Sequence, residues 1–205
     1  IDDNPFRDFV DRAGDLVGVD FCLNVTHGPA GMLGASAGSP RAVVADLAAT
    51  AQDALAVEVE EGYDAVLAGV GAPKDANLYQ TTRGATYVVL GAHNPLREGG
   101  KVITPARLTE GAGEGTGEQR FYEWLSTADS AEALYEEMRQ GYEPGSQRAF
   151  VVAQVLRDHE LWVTNSQAPG VVEDCLMHAA DSVEAAVDPG SDVLVVPDAL
   201  NTLLV

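Results

Sequence analysis

The chain has 205 residues, 46% of them hydrophobic, enough to bury a core without disulfide or metal staples. Its 32 acidic residues against 12 basic ones give a formal net charge of -20, which opposes binding to nucleic acid or to anionic membranes. No apolar run approaches the ~20 residues of a membrane span, and the opening Ile1-Asp-Asp-Asn-Pro5 lacks the basic and apolar regions of a secretory signal, so a soluble cytoplasmic protein is expected. Asn4 as N-cap and Pro5 at the first helical position open a helix in which Phe6, Phe9, Val10, Ala13, Leu16 and Val17 recur at helical spacing, so one face is expected to pack inward. The stretch from Val19 to Val25 reads as a largely buried strand, followed by a Gly-Pro loop and a second extended piece near Met32 to Ala37. Ser39-Pro40 repeats the cap signal and opens a helix that turns Val43, Leu47, Ala48, Ala51 and Leu55 to the core and leaves Asp46 and Asp53 to solvent.

A buried strand follows at Ala65 to Val70, then a Gly-Ala-Pro loop, a helix beginning near Asp75 to Asn77, and a strand around Val102-Ile103-Thr104. Past the glycine-rich stretch Glu110 to Gly117 the balance shifts to helix, over Phe121 to Leu125, over Ala131 to Gln140 behind the cap pair Asp129 and Glu132, and over Ser146 to Arg157. Leu161-Trp-Val163 and Val193 to Val196 return to the sheet, with a short helix opened by Asp181 or Ser182 between them. Strands alternating with capped helices imply an α/β fold with a mainly parallel sheet and flanking helices, in a single domain over residues 1–205.

In a parallel sheet ligands bind at the loops leaving the carboxyl ends of strands, which points to Gly71 to Gly84. There Lys74 meets a helix N-terminus, and Gln80 and Arg83 lie three apart on one helix face, a set that suits a carboxylate. The same residues also fit a plain structural account, with Asp75 capping the helix, Lys74 solvated and Arg83 paired with a surface acid. The glycine-rich stretch carries neither dinucleotide nor phosphate-loop spacing, and its glutamates would repel phosphate, so it reads as a flexible loop or lid. His27, His93, His159 and His178 show no metal-ligand spacing, and His27 stands out only by following a strand end. Cys22 and Cys175 read as two small buried hydrophobes. Only Lys74 and Lys101 are lysines, and acids fall throughout the chain, a pattern expected of halophilic adaptation.

At Pro73-Lys-Asp-Ala-Asn-Leu-Tyr-Gln80 the sequence resembles the C-terminal domain of the nickel-dependent lactate racemase family. Asn4-Pro5, the stretch from Gly18 to Val25, Ala37-Gly38, Glu110-Gly-Ala-Gly113 with Phe121 and Trp124, and Val195-Val-Pro-Asp198 resemble further stations of it in order, so the resemblance spans nearly the whole chain. It implies a racemase or epimerase in which a nickel-pincer nucleotide takes hydride from the Cα of a small 2-hydroxy acid while histidines move the hydroxyl proton. The tethering lysine and those histidines belong to the family's N-terminal domain, so the resemblance implies that domain as partner and cofactor holder, an isolated chain without activity, and no metal ligand here. It places catalytic roles on Gln80 and Arg83 and substrate contacts on Lys74, Asn77 and Tyr79, with the chain closing the cleft over substrate. Arg83 departs from the family's lysine, which points to a lactate-like acid other than lactate. The competing expectation is a module that binds a carboxylate or a protein without chemistry.

Overall fold

The computed structural model describes residues 4–28 and 30–205. Contacts divide the chain, read from sequence as one domain, into two compact units, Ile1–Val57 and Glu58–Val205.

In the first unit, helix α1 (Pro5–Val17) starts where expected, with Asn4 Oδ1 accepting from the amides of Phe6 and Arg7 at 3.0 and 3.2 Å, and ends at Gly18 in the left-handed region. Its apolar stripe does not pack inward as the periodicity predicts, for no residue of α1 is buried and Phe6, Phe9 and Leu16 are 74%, 69% and 90% exposed. Strands β1 (Cys22–Gly28) and β2 (Gly31–Gly38) form an antiparallel hairpin with Cys22 opposite Gly38. The strand therefore starts later than Val19 and is only half-buried, because a two-stranded hairpin covered on one side leaves its other face open. Cys22 is partly buried and only Cys175 is fully so. Helix α2 (Pro40–Leu55) covers the hairpin with Val43 and Leu47 buried and Asp46 and Asp53 exposed. Gly34 admits it closely, since a Cβ there would lie 3.2 Å from Thr50 Cγ2.

The second unit holds a five-stranded sheet, parallel throughout, made of β3 (Tyr63–Ala68), β4 (Leu96–Pro105), β5 (Glu160–Thr164), β6 (His178–Ala180) and β7 (Val193–Val196) in the order β6-β5-β4-β3-β7. Helices α3 (Leu78–Val89), α4 (Thr116–Ser126), α5 (Ala131–Arg139), α6 (Gln147–Leu156), α7 (Pro169–Asp174) and α8 (Val183–Ala186) flank it. Alternation along the strands sorts the core into two parts. Val66, Ala68, Val102, Leu161 and Val163 join Phe121, Leu134 and Val152 of the helices in the large core, while Ala65 and Ile103 pack with Ala186 of α8 and the half-buried Leu67 and Trp162. Two local expectations shift. The N-cap of α5 is Ser130, whose hydroxyl accepts from Ala133 N at 3.1 Å, in place of the pair Asp129 and Glu132. Strand β6 and helix α7, too short to show a period, add to the elements expected from sequence.

Strands β3 to β6 step outward in one direction and β7 then lands on the other side of β3, so the order reverses at the β3/β7 pair. In open parallel sheets the crevice outside the carboxyl ends at such a reversal is where ligands bind.

Candidate functional site

That crevice is lined by Val70, Gly71, Ala72 and Lys74 after β3 and by Pro197, Asp198, Leu200 and Asn201 after β7, with a volume of about 510 Å³. Just before it Gly69 ties the two strand ends together, its amide donating to Val196 O at 2.9 Å and its carbonyl accepting from Ala199 N at 2.8 Å. A side chain at Gly69 would overlap the carbonyl oxygen of Pro197, so only glycine lets the two strand ends leave side by side. The crevice's own acid, Asp198, is held by Asn201 Nδ2 at 2.9 and 3.1 Å.

Lys74 lies in a single 3-10 turn (Lys74–Ala76) leading into α3. Three of the residues singled out in the sequence come together there. Gln80 Oε1 accepts from Arg83 Nε at 2.9 Å and from Lys74 Nζ at 3.4 Å, which leaves Gln80 Nε2 without a partner among the described residues. The Arg83 guanidinium sits 5.9 Å from the centre of the Tyr79 ring and donates to Tyr87 Oη at 3.5 Å. Tyr79 itself is half-buried, edge-on to Phe121 at 5.5 Å. Neither Lys74 nor Arg83 has a carboxylate within 4 Å among the described residues, so the surface ion pair of the plain structural account does not form. A cluster of donors without an acid can receive an anion and orient a carboxylate by its guanidinium fork.

Asn77 stands apart from these three. It is buried, its Oδ1 caps α3 by accepting from Gln80 N at 3.0 Å, and its Nδ2 donates to Glu110 Oε2 at 3.0 Å and Glu118 Oε1 at 3.2 Å. The cap is thus Asn77 and not Asp75. With Leu78 N bound to Gly111 O at 2.9 Å and Thr81 N to Asn77 O at 3.0 Å, the Leu78, Gln80 and Thr81 amides at the start of α3 are taken by the protein. The same contacts pin the glycine-rich stretch, read from sequence as a flexible loop. Glu110 N bonds Ala76 O at 2.8 Å, and Gly113 keeps clear of the Glu118 carboxylate only because it has no Cβ.

One residue beside the cluster belongs to no motif that the sequence displays. Arg148 on α6 is 8% exposed, and its Nε and Nη2 donate to the hydroxyls of Thr82 at 3.3 Å and Thr86 at 3.0 Å on α3. Burial, with the charge of Arg83 added, pulls its pKa down to about 10, so it remains a cation at neutral pH. A signal for it does exist in the spacing, since Arg148, Val152 and Val155 fall at i, i+4 and i+7 and place the arginine on the apolar stripe of α6.

The histidines are dispersed. His27 is exposed on the hairpin, His178 stacks on Trp162 at 4.7 Å, and His159 is buried before β5 with Nε2 3.2 Å from Asn94 Nδ2. No three His, Cys, Asp or Glu side chains converge among the described residues.

Residues 58–205 thus form an open parallel-sheet α/β domain that carries amide, ammonium and guanidinium donors on the turn and helix following β3. Residues 58–203 match the family described as the lactate racemase C-terminal domain, and the chain belongs to that family. Among solved structures it is similar to the lactate racemase apoprotein from Thermoanaerobacterium thermosaccharolyticum, at 21% identity and a TM-score of 0.87 over 99% of this chain and 50% of that one. It is also similar to a protein from Thermotoga maritima, at 12% identity and a TM-score of 0.66 over 99% of this chain and 54% of that one. The chain spans about half the length of these structures. No curated protein sequence matches it.

Proposed function

We propose that this chain supplies the substrate-facing C-terminal part of a racemase or epimerase of 2-hydroxy acids, closing the active-site cleft over substrate. The observation that carries the reading is the Gln80 amide shared by Lys74 and Arg83, with no carboxylate within 4 Å of either cation among the described residues. Arg83 grips the substrate carboxylate, Gln80 holds the guanidinium through Oε1 and keeps Nε2 to donate, Tyr79 floors the guanidinium, and Lys74 adds positive charge at the crevice. Asn77 serves by fixing where α3 begins, and with it the position of Gln80.

The nickel-pincer nucleotide that the resemblance implies supplies hydride exchange at the substrate Cα when bound. The donors of this chain's cluster are cationic or amide groups that suit an anion and not a divalent metal, so the cofactor is assigned to a preceding domain and no step is routed through it here. That domain is the proposed partner, and the exposed Phe6, Phe9, Leu16, Phe21 and Leu23 offer it an apolar face.

Racemisation assays on the full-length protein test the reading. Arg83→Ala is expected to lower turnover by roughly 30-fold to several thousandfold, as for a lost desolvated charge contact of about 2 to 5 kcal/mol. Arg83→Lys is expected to shift preference toward lactate. If both variants turn over like wild type, the site assignment is wrong.

A further inference from the structure

We propose that Arg148 on α6 is a positioning residue for the donor face of α3, holding the backbone of Tyr79 and Arg83 through the hydroxyls of Thr82 and Thr86. The role rests on the substrate-facing reading of that face, and Arg148 itself touches no ligand.

Two hydrogen-bonded chains leave the guanidinium. Its Nε donates to Thr82 Oγ1 at 3.3 Å, and that hydroxyl donates onward to Tyr79 O at 2.9 Å. Its Nη2 donates to Thr86 Oγ1 at 3.0 Å, and that hydroxyl donates to Arg83 O at 3.2 Å. Both chains therefore end on the backbone of residues whose side chains belong to the cluster. A threonine in a helix divides between rotamers, and a donor from outside selects the one whose hydroxyl bonds back to the preceding turn. A guanidinium N–H also polarises each hydroxyl and strengthens its bond to the carbonyl behind it. Carbonyls drawn in this way tilt from the helix axis and set its local bend, so the course of α3 through Tyr79 and Arg83 is fixed from α6. Helix α6 is a firm base for this, since Ala149, Val152, Ala153 and Val155 are wholly buried in the large core.

Packing alone would favour an apolar residue at position 148. Burial and the nearby charge of Arg83 both work against the cation, and no carboxylate lies within 4 Å of it among the described residues to offset them. Arg157, at the end of the same helix, does meet one in Glu132. A methionine would fill the space but bond neither hydroxyl, and a lysine would bring charge without the planar fork that spans two hydroxyls one turn apart. What the arginine adds over either is a paired grip on α3. Thr82 and Thr86 lie on the flank of α3 beside the one that carries Gln80 and Arg83, so a turn of the helix at this grip turns the donor face with it.

Kinetics and thermal melts of the full-length protein test this, with lactate, glycerate and 2-hydroxybutyrate as substrates. Arg148→Met is expected to lower kcat/KM about tenfold on whichever acid is turned over, less than the roughly hundredfold that a misplacement of about 1 Å can cost, while Tm holds or rises. Thr82→Val and Thr86→Val keep the shape and remove one hydroxyl each, and are expected to lose about threefold apiece, with Thr82→Ser and Thr86→Ser recovering most of it. Adding either valine to Arg148→Met should cost nothing further, because both chains start at the arginine. Should Arg148→Met fail to fold, the valine and serine pairs decide alone. Wild-type turnover in Arg148→Met, a loss there that comes with a lower Tm, valine losses that serine does not restore, or losses that add in the combined variants overturn the assignment. When Arg83→Ala is crippled and Arg148→Met is not, this assignment alone falls. When Arg83→Ala also runs like wild type, or wild type turns over none of the acids, the substrate-facing reading falls and takes this assignment with it.

Discussion

Replacing Arg148 with methionine should make the ligand-free protein more stable. The fall of the Arg148 pKa from 12.5 to about 10 corresponds to about 3 kcal/mol spent in holding the charge where it sits, by burial first and by the Arg83 charge second. Methionine fills similar volume without a charge, and the cost disappears with the guanidinium. The two bonds to Thr82 and Thr86 are lost, each worth about 1 kcal/mol net, but the hydroxyls stay satisfied as donors to Tyr79 O and Arg83 O. The balance is a gain of about 1 kcal/mol, or a rise in Tm of roughly 2 to 4 °C for a chain of this size. Urea and thermal unfolding at pH 7 would measure it, with an unchanged m-value showing that the folded state is intact. Destabilisation by more than about 1 kcal/mol would mean that Arg148 is a structural cation whose bonds to Thr82 and Thr86 outweigh the cost of its burial.

Gly69→Ala is expected to cost at least about 2 kcal/mol, because the added methyl meets backbone at Pro197 and cannot be relieved by a rotamer change, and a urea midpoint within error of wild type would refute this. Burial holds the His159 imidazole below its usual pKa of 6.5, so the unfolded chain binds a proton first and stability falls as pH drops below about 6.5, levelling beneath the folded pKa. His159→Gln should flatten that loss on acidification below about pH 6.5 in pH-dependent melts. Burial also pushes the Cys175 thiol up to about 12, so thiol labelling of native protein should modify Cys22 alone and reach Cys175 only in denaturant. Melting temperature should rise from low salt to molar KCl as the net charge of -20 is screened, and an unchanged or lower value would remove the halophilic expectation.

The second unit is legible in the sequence because its signals are local. Buried strands such as Ala65 to Ala68 are continuous apolar runs, and Asn77 and Ser182 mark helix starts by chemistry that needs no partner from afar. The three-residue offset of Gln80 and Arg83 likewise suffices to bring both side chains to one helix face, where they bond. What stays hidden depends on neighbours distant in sequence. The stripe on α1 reads as core by period, but periodicity states only that a face is apolar and not what covers it, and within the first unit it is α2 that takes the hairpin. Asn77 is given its substrate contact by the resemblance alone, and nothing near it in sequence reveals its bonds to Glu110 and Glu118, 33 and 41 residues away. Arg148 is inconspicuous for the opposite reason, since a lone arginine in an apolar helix resembles surface charge until the threonines of α3 are seen beneath it.

The Asn77 side chain has a consequence for how change would travel through the second unit. Its amide caps α3 with one end and grips Glu118 with the other, while the second oxygen of Glu118 accepts from Gly115 N at 2.7 Å to cap α4. Two helices therefore share one hydrogen-bonded hub at their first turns, and neither can be re-aimed alone. A substitution at Glu118, on the far helix, would be read at Gln80 as a shift in where α3 begins, so the alignment of the donor cluster is set from α4 as much as from the helix that carries it.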